Sequence, residues 1–401
     1  MSSAPAYLDH AATTPMRPEA VAALAEESAH TGNPSSVHHA GRAARKVVDE
    51  ARELVAARLG AHPTEVVFTS GGTEADNLAV RGLGRSGPGG AVGGRRIVTP
   101  GVEHHAVLDP AAWLAEHAGA DVVLLPVDDA GVVRLDALEE ALADGAGPGA
   151  LVSVMWANNE VGTVQPVARV AEIARARGAL VHSDAVQAVG RVPVDFAASR
   201  LDAMTVSAHK LGGPVGVGAL LVRRGVPVEP LAHGGGQERG LRPGTVPAAL
   251  IRSFAVAVDL AVAEREAEEV RLAVLRDALV AGVLRAVPDA VVRGPWPAVA
   301  AADGGLRRLP GNAHLTFPGC DSEALLFGLD RAGVAASAGS ACQAGVQRAS
   351  HVLAAMGVPD AEARGAVRFS LGWTSTAADV DAVVQVIGGV VAMARAAARA
   401  G

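Results

Sequence analysis

At 401 residues the chain is too long for one small core, and with half its residues hydrophobic it has the makings of about two folded domains. A formal net charge of −7 leaves no basic footprint and argues against direct nucleic-acid binding. Two cysteines, Cys320 and Cys342, supply neither a disulfide framework nor a metal-spaced cluster, which fits the cytoplasm, although a bridge between the two remains an alternative.

The first six residues have neither the basic start nor the apolar core of a signal peptide. Tyr7 to Pro15 reads as an extended segment ending at a turn, Pro18 to His30 as a helix and Gly32 to Ser36 as a loop. Arg42 to Leu59 has the 3.6-residue period of an amphipathic helix.

Strands and helices then alternate. Strands are expected at Glu65–Ser70, Arg96–Thr99, Val122–Leu125, Leu151–Met155, Leu180–Ser183, Ala203–Ser207 and Gly218–Val222. Helices are expected at Ala75–Arg81, Ala106–His117, Leu135–Leu142 and Val167–Arg177, and Gly82–Gly94 reads as a mobile surface loop. This alternation predicts an α/β fold with a mostly parallel sheet, whose ligands bind beyond the carboxyl ends of the strands. A long helical pattern from Pro247 to Val287 leads into a smaller α+β part. Pro295–Pro310 reads as a loop. Asn312–Phe317, Gly333–Ser340 and Val367–Leu371 read as strands, and Ser322–Ala332 and Thr376–Ala398 as helices. Val383–Ala394, the most apolar stretch, is short and flanked by Asp381 and Arg395, so a buried helix is expected and not a membrane span.

Lysine is nearly absent: Lys46 and Lys210 are the only two. Arginine cannot lose its proton to form an imine, whereas a buried lysine can. Lys210 follows a strand in Ser207-Ala-His-Lys210, where it could hold a cofactor aldehyde; a surface lysine beside a turn is the plain alternative. A pyridoxal phosphate site also needs a carboxylate for the ring nitrogen, donors for the phosphate and a flat partner over the ring. Asp184, ending the preceding strand, suits the first need, or else caps a following helix. Gly71-Gly72-Thr73-Glu74 opens a helix whose free N–H groups suit an anion, with Ser207 and His209 as further donors. His104 could be the flat partner and His105 a spare, with a core histidine the alternative for each.

Taken together, these motifs resemble the cysteine desulfurases of the NifS/IscS-like group, within the class V aminotransferase-like, fold-type I pyridoxal phosphate enzymes. The resemblance rests on Tyr-Leu-Asp-x-x-Ala-Thr-Thr at 7–14, Gly-Asn-Pro-Ser-Ser-x-His at 32–38, Phe-Thr-Ser-Gly-Gly-Thr-Glu at 68–74 and Glu-His at 103–104. It continues through Asn-Asn-Glu at 158–160, Asp-Ala-x-Gln at 184–187, Ser-x-His-Lys at 207–210 and the run from His233 to Thr245. Gly-Ser-Ala-Cys at 339–342 and Arg-Phe-Ser-Leu-Gly at 368–372 complete it, in family order over nearly the whole chain.

The resemblance implies a seven-stranded-type, mostly parallel cofactor-binding large domain (15–255) and a smaller α+β domain (256–401), joined by the segment 1–14. It implies that Lys210 carries pyridoxal 5'-phosphate and moves protons, that Asp184 meets the ring nitrogen and Gln187 the phenolic oxygen, and that His104 stacks on the ring. Gly72, Thr73, Ser207 and His209 would hold the phosphate. Thr245 would reach it from the other subunit of a homodimer, and Asn159 and Arg368 would bind the substrate carboxylate. Cys342 would take the sulfur of L-cysteine as a persulfide, releasing alanine and passing the sulfur to an iron–sulfur scaffold or a tRNA-thiolation enzyme. Neither a metal nor a membrane is implied. Cys320 matches no family motif and reads as structural. Gln343, Ala344 and Arg348 depart from common relatives on the cysteine's loop, and Val215 replaces a frequent lysine; the loop departures leave the acceptor open. A selenocysteine or cystine lyase, or a non-catalytic sulfur carrier on the same scaffold, are the competing readings. Cys342 argues against a cystine lyase, and the presence of Lys210, Asp184 and Arg368 argues against a non-catalytic carrier.

Overall fold

A computed structural model describes residues 5–83, 95–144, 146–147, 149–297, 307–339 and 350–400. The chain opens with β1 (Ala6–Tyr7), α1 (Pro18–Ser28) and α2 (His39–Arg58). The alternating run follows: β2 (Val66–Thr69), α3 (Gly72–Gly82), β3 (Arg96–Pro100), α4 (His105–Ala118), β4 (Asp121–Leu125), α5 (Leu135–Ala141), β5 (Leu151–Ser153), α6 (Val167–Ala176), β6 (Leu180–Asp184), α7 (Phe196–Ser199), β7 (Ala203–Ser207) and β8 (Gly218–Val222).

These strands form one seven-stranded sheet in the order β2-β8-β7-β6-β5-β3-β4. Only β8 runs against its neighbours, so the carboxyl ends of the other strands share one edge. β2, β5, β7 and β8 are buried at every position. Helices cover both faces, which is why these strands read as apolar runs and not as alternation. The expected mostly parallel α/β sheet is the observed one. The glycine-rich reading at 84–94 and the loop reading at 298–306 lie outside the described residues.

Beyond the sheet come α8 (Ala248–Ala263), α9 (Arg265–Ala286), β9 (Val291–Arg293), β10 (Asn312–Thr316), α10 (Ser322–Arg331), β11 (Val334–Ala335), α11 (His351–Ala355), α12 (Asp360–Ala363), β12 (Ala366–Ser370) and α13 (Ala377–Ala400). The one long helix expected over 247–287 is therefore two. α8 buries Ile251, Phe254 and Val258 in the core it shares with α1 and α2, whereas α9 buries Leu272, Leu279 and Val283 in a second core. The axis breaks where the buried face changes partner. Glu264, at the junction, turns its carboxylate to Arg17 at 2.7 Å.

That second core lies under the antiparallel sheet β12-β10-β9. α13 is long and apolar enough, by length and composition, to cross a membrane. Its Val380, Val383, Ile387, Val390, Val391 and Ala394 are buried in the second core, as expected of a core helix, and it packs against α9 and α10. The first residues tie the two cores together. β1 pairs in parallel with β11, Asp9 bridges to Ser370, and Leu8 is fully buried in the second core.

Candidate active site

A cavity of about 350 Å³ opens at the shared carboxyl edge of the sheet. Its walls come from segments far apart in sequence, because each parallel strand delivers its following loop to the same edge.

The strand β7 is buried throughout and ends at Ser207; a single 3₁₀ turn, Ala208–Lys210, then carries Lys210 into the cavity. Lys210 Nζ donates to the carbonyl oxygens of Ala11 at 2.6 Å and Ala12 at 2.7 Å. Burial pushes its pKa down to about 7, aided by Arg191 and Arg368 and opposed by Asp184 and Asp9. Near neutral pH this amine is neutral in a large fraction of molecules, which an imine-forming lysine requires.

Asp184 ends β6, the strand beside β7, and is buried. Its Oδ1 accepts from Val186 N–H at 2.9 Å, a local turn bond and not the cap of a regular helix. Burial raises its pKa, while His104, the Val186 bond and Lys210 oppose the rise. Gln187 donates from Nε2 to the Ala11 carbonyl at 2.9 Å and accepts from Arg191. Lys210 and Gln187 therefore pin the same stretch of the N-terminal segment over the site.

His104 is the N-cap of α4, its Nδ1 accepting from Ala106 N–H at 3.1 Å. That bond makes Nδ1 an acceptor and Nε2 the ring's other functional nitrogen. Burial lowers its pKa, with Asp184 opposing and Lys210 adding to the shift.

The amino end of α3 approaches the end of β7 closely. A Cβ on Gly72 would lie 3.0 Å from Val186 Cγ2 and 3.5 Å from Ser207 Cβ. Glycine keeps this corner open, and the free N–H groups of the first turn remain available to an anion. Thr73, Ser207 and His209 line the same cavity. His209 is held neutral, its pKa lowered to about 4 by burial and by Lys210.

Arg368, on β12, is almost fully buried at the opposite wall. Its Nη1 donates to the Asn159 carbonyl and its Nη2 to Asp9 Oδ1, each at 2.8 Å. Among the described residues its Nε has no partner, although it is buried. An orphaned guanidinium N–H beside a half-buried Asn159 suits an incoming carboxylate.

The cavity thus gathers Gly72, Thr73, His104, Asn159, Asp184, Gln187, Ser207, His209, Lys210 and Arg368. Thr245 is exposed, just before α8, and does not line it. Cys342 lies outside the described residues. A low-pKa amine, a carboxylate, an imidazole and a helix-end anion cradle around one cavity fit a phosphorylated pyridine aldehyde.

Four acids of the site carry no assigned role from sequence: Asp9, Asp76, Glu103 and Glu160. Asp76, Glu103 and Glu160 are all buried. Glu103 accepts from Met155 N–H at 2.5 Å and is pushed well above the carboxylate range by burial. Glu160 is raised by burial despite the bond from Ser350 Oγ. His105 and His351 also line the cavity, their rings 4.8 Å apart. The Leu-Asp, Glu-His and Asn-Asn-Glu motifs contain three of these acids, and that was the available signal.

Similarity to known proteins agrees with this geometry. The profile of the Aminotransferase class-V family matches residues 6–383. An IscS-like cysteine desulfurase of Mycobacterium tuberculosis (strain ATCC 25618 / H37Rv) is 54% identical over 395 residues, 98% of each chain. A solved structure titled NifS-like protein superposes with a TM-score of 0.87 at 36% identity, covering 97% of this chain and 100% of that one. Another, titled SspA in complex with cysteine, gives a TM-score of 0.75 at 31% identity, covering 92% and 99%. The chain belongs to the class-V aminotransferase family of pyridoxal phosphate-dependent enzymes, in its IscS/NifS-like cysteine desulfurase group.

Proposed function

We propose that the protein is a pyridoxal phosphate-dependent cysteine desulfurase that converts L-cysteine to L-alanine and receives the sulfur on Cys342. The observation that carries this reading is the convergence of Lys210, Asp184, His104 and Arg368 on one cavity. When bound, the cofactor supplies an electron sink for the charge left at the substrate Cα.

The chain's own groups do the rest. Lys210 would hold the cofactor through its amine and would move protons at the substrate Cα; its lowered pKa supports both tasks. Asp184 would serve the ring nitrogen, Gln187 the phenolic oxygen, and His104 the face of the ring. The first turn of α3 with Gly72 and Thr73, together with Ser207 and His209, would hold the phosphate. Thr245, exposed at the surface, reaches the phosphate of a second copy of the chain in a homodimer. Arg368, through its unpartnered Nε, and Asn159 bind the substrate carboxylate. The Cys342 thiolate attacks the substrate sulfur: the Cβ–S bond breaks, an S–S bond forms and the carbon gains the hydrogen. L-cysteine plus a thiol gives L-alanine plus a persulfide, with no external oxidant. The persulfide is passed to a sulfur acceptor, an iron–sulfur scaffold or a tRNA-thiolation enzyme, in the cytoplasm.

The two-part division into 15–255 and 256–401, joined by segment 1–14, belongs to this proposal. Its seam is best drawn at Glu264, because α8 stays with the large core as far as Ala261.

The test is mass spectrometry of the purified holoprotein after incubation with L-cysteine. Added sulfur on Cys342 with stoichiometric alanine is expected. Alanine formation with no sulfur on Cys342 would exclude the proposed route.

A further inference from the structure

Beneath Asp184 lies a buried polar chain that the proposed reaction does not use. Asp76 sits on α3, four residues past Gly72 and hence on the same helix face, 1% exposed and at the cavity wall. Its carboxyl lies on the cavity wall it shares with Asp184, within reach of that carboxylate and of the Thr205 hydroxyl. Thr205 lies opposite Asp184 on the neighbouring strand. Thr205 Oγ1 is 3.0 Å from His182 Nε2, and His182 Nδ1 is 2.9 Å from Ser153 Oγ. The chain Ser153–His182–Thr205–Asp76 thus ends on the carboxylate that the cofactor reading assigns to the ring nitrogen.

Two buried carboxyl groups in contact cannot both be ionised, so the pair holds one proton. The surroundings decide where it resides. Asp184 accepts from Val186 N–H and faces both His104 and Lys210, which favour its anion. Asp76 faces Asp184 and Glu103, which disfavour its anion, and has only the Thr205 bond in compensation. His182 Nε2 lies 3.6 Å from Asp76 Oδ1, but burial lowers this imidazole to about 3, so it brings no charge. Asp76 Oδ1 has no hydrogen-bond partner among the described residues. An orphaned buried oxygen suits a neutral acid far better than an anion.

We infer that Asp76 is a protonated positioning residue, held by the Thr205–His182–Ser153 chain, whose O–H donates to Asp184 and keeps that carboxylate ionised and aimed into the cavity. The inference rests on the proposed cofactor reading for its purpose, but not for its chemistry. The bond would fix the orientation and charge of the carboxylate that the cofactor reading assigns to the ring nitrogen. An amide at position 76 can donate the same bond, and a methyl cannot.

The test compares wild type, Asp76→Asn and Asp76→Ala. In cofactor-free protein at neutral pH, the infrared band of a protonated carboxylic acid should be present in wild type and reduced in Asp76→Asn. In cofactor-loaded protein, Asp76→Asn should hold pyridoxal phosphate within about threefold of wild type and keep its absorption band, whereas Asp76→Ala should loosen it about tenfold or more, as expected when a buried acceptor loses its donor. An unchanged infrared band would overturn the inference, as would an Asp76→Asn protein that melts like wild type but binds cofactor as poorly as Asp76→Ala. Should Asp76→Ala fail to fold, the infrared comparison and Asp76→Asn still decide. Failure of wild type to take up pyridoxal phosphate would instead defeat the cofactor reading, and the infrared result would stand apart from it.

Discussion

Asp9 Oδ1 accepts from Arg368 Nη2 at 2.8 Å, an ion pair between residues 359 positions apart in sequence. It holds the guanidinium so that one edge is engaged and Nε is left without a partner among the described residues. The same carboxylate raises the Lys210 pKa. Asp9→Asn is therefore expected to lower the Lys210 pKa further below 7 and to reduce stability by about 1–3 kcal/mol through the weakened hold on a buried arginine. Thermal melting and the pH dependence of chemical modification of the Lys210 amine in cofactor-free protein, read by mass spectrometry, check both effects. A wild-type titration in Asp9→Asn would remove Asp9 from the electrostatics of the lysine.

Lys210 itself makes stability pH-dependent. Its folded pKa of about 7 lies below the ordinary 10.5, so between these values the unfolded chain binds more protons than the folded one. Cofactor-free protein should gain stability as pH rises from about 7 towards 10.5, and the burial cost should be fully present below 7. Lys210→Met should abolish that gain and be the more stable protein at pH 7. Denaturant unfolding at pH 6.5 and 9.5 for the two proteins measures it. Parallel behaviour of the two would show that the lysine is not desolvated.

Arg368→Lys keeps the charge and loses the planar fork. The Asn159 carbonyl, Asp9 and the substrate carboxylate can no longer all be served. We expect kcat/KM for alanine formation from L-cysteine to fall roughly ten- to a hundredfold, with the cofactor spectrum unchanged. An unaltered kcat/KM would place carboxylate binding elsewhere.

The two cysteines should separate cleanly. Cys342→Ser is expected to lose sulfur transfer by on the order of 10³-fold or more. Cys320 is buried, its Sγ 3.8 Å from the Val391 carbonyl, and burial raises its pKa first of all. Cys320→Ala should keep turnover and lower stability by about 1 kcal/mol. Assays of alanine release and chemical unfolding distinguish the two.

Much of this was legible in sequence, for identifiable reasons. The sheet strands announce themselves because double burial makes them apolar runs, and Lys210 stands out in a chain nearly devoid of lysine. The break at Glu264 was not legible: the helical pattern continues unchanged while the core it faces is exchanged. β9 was too short to register. Asp76 was hidden for a different reason. An acid in the first turns of a helix looks like a solvated residue, and only the crossing of α3 over β6 and β7 puts it in the interior. Asp9 carried no role because its partner lies at the far end of the chain.

The pairing of β1 with β11 and of Asp9 with Arg368 bears on biogenesis. Residues 6–9 leave the ribosome long before their partners and find their seats only after residues 334–370 have been made. Ala11 and Ala12 cannot meet Lys210 securely on a nascent chain, since Leu8 anchors in a core that does not yet exist. Loop closure over such a separation is slow. Cofactor capture should therefore await residues 334–370, and fragments that stop short of them should leave the lysine pocket without the wall that Ala11 and Ala12 provide.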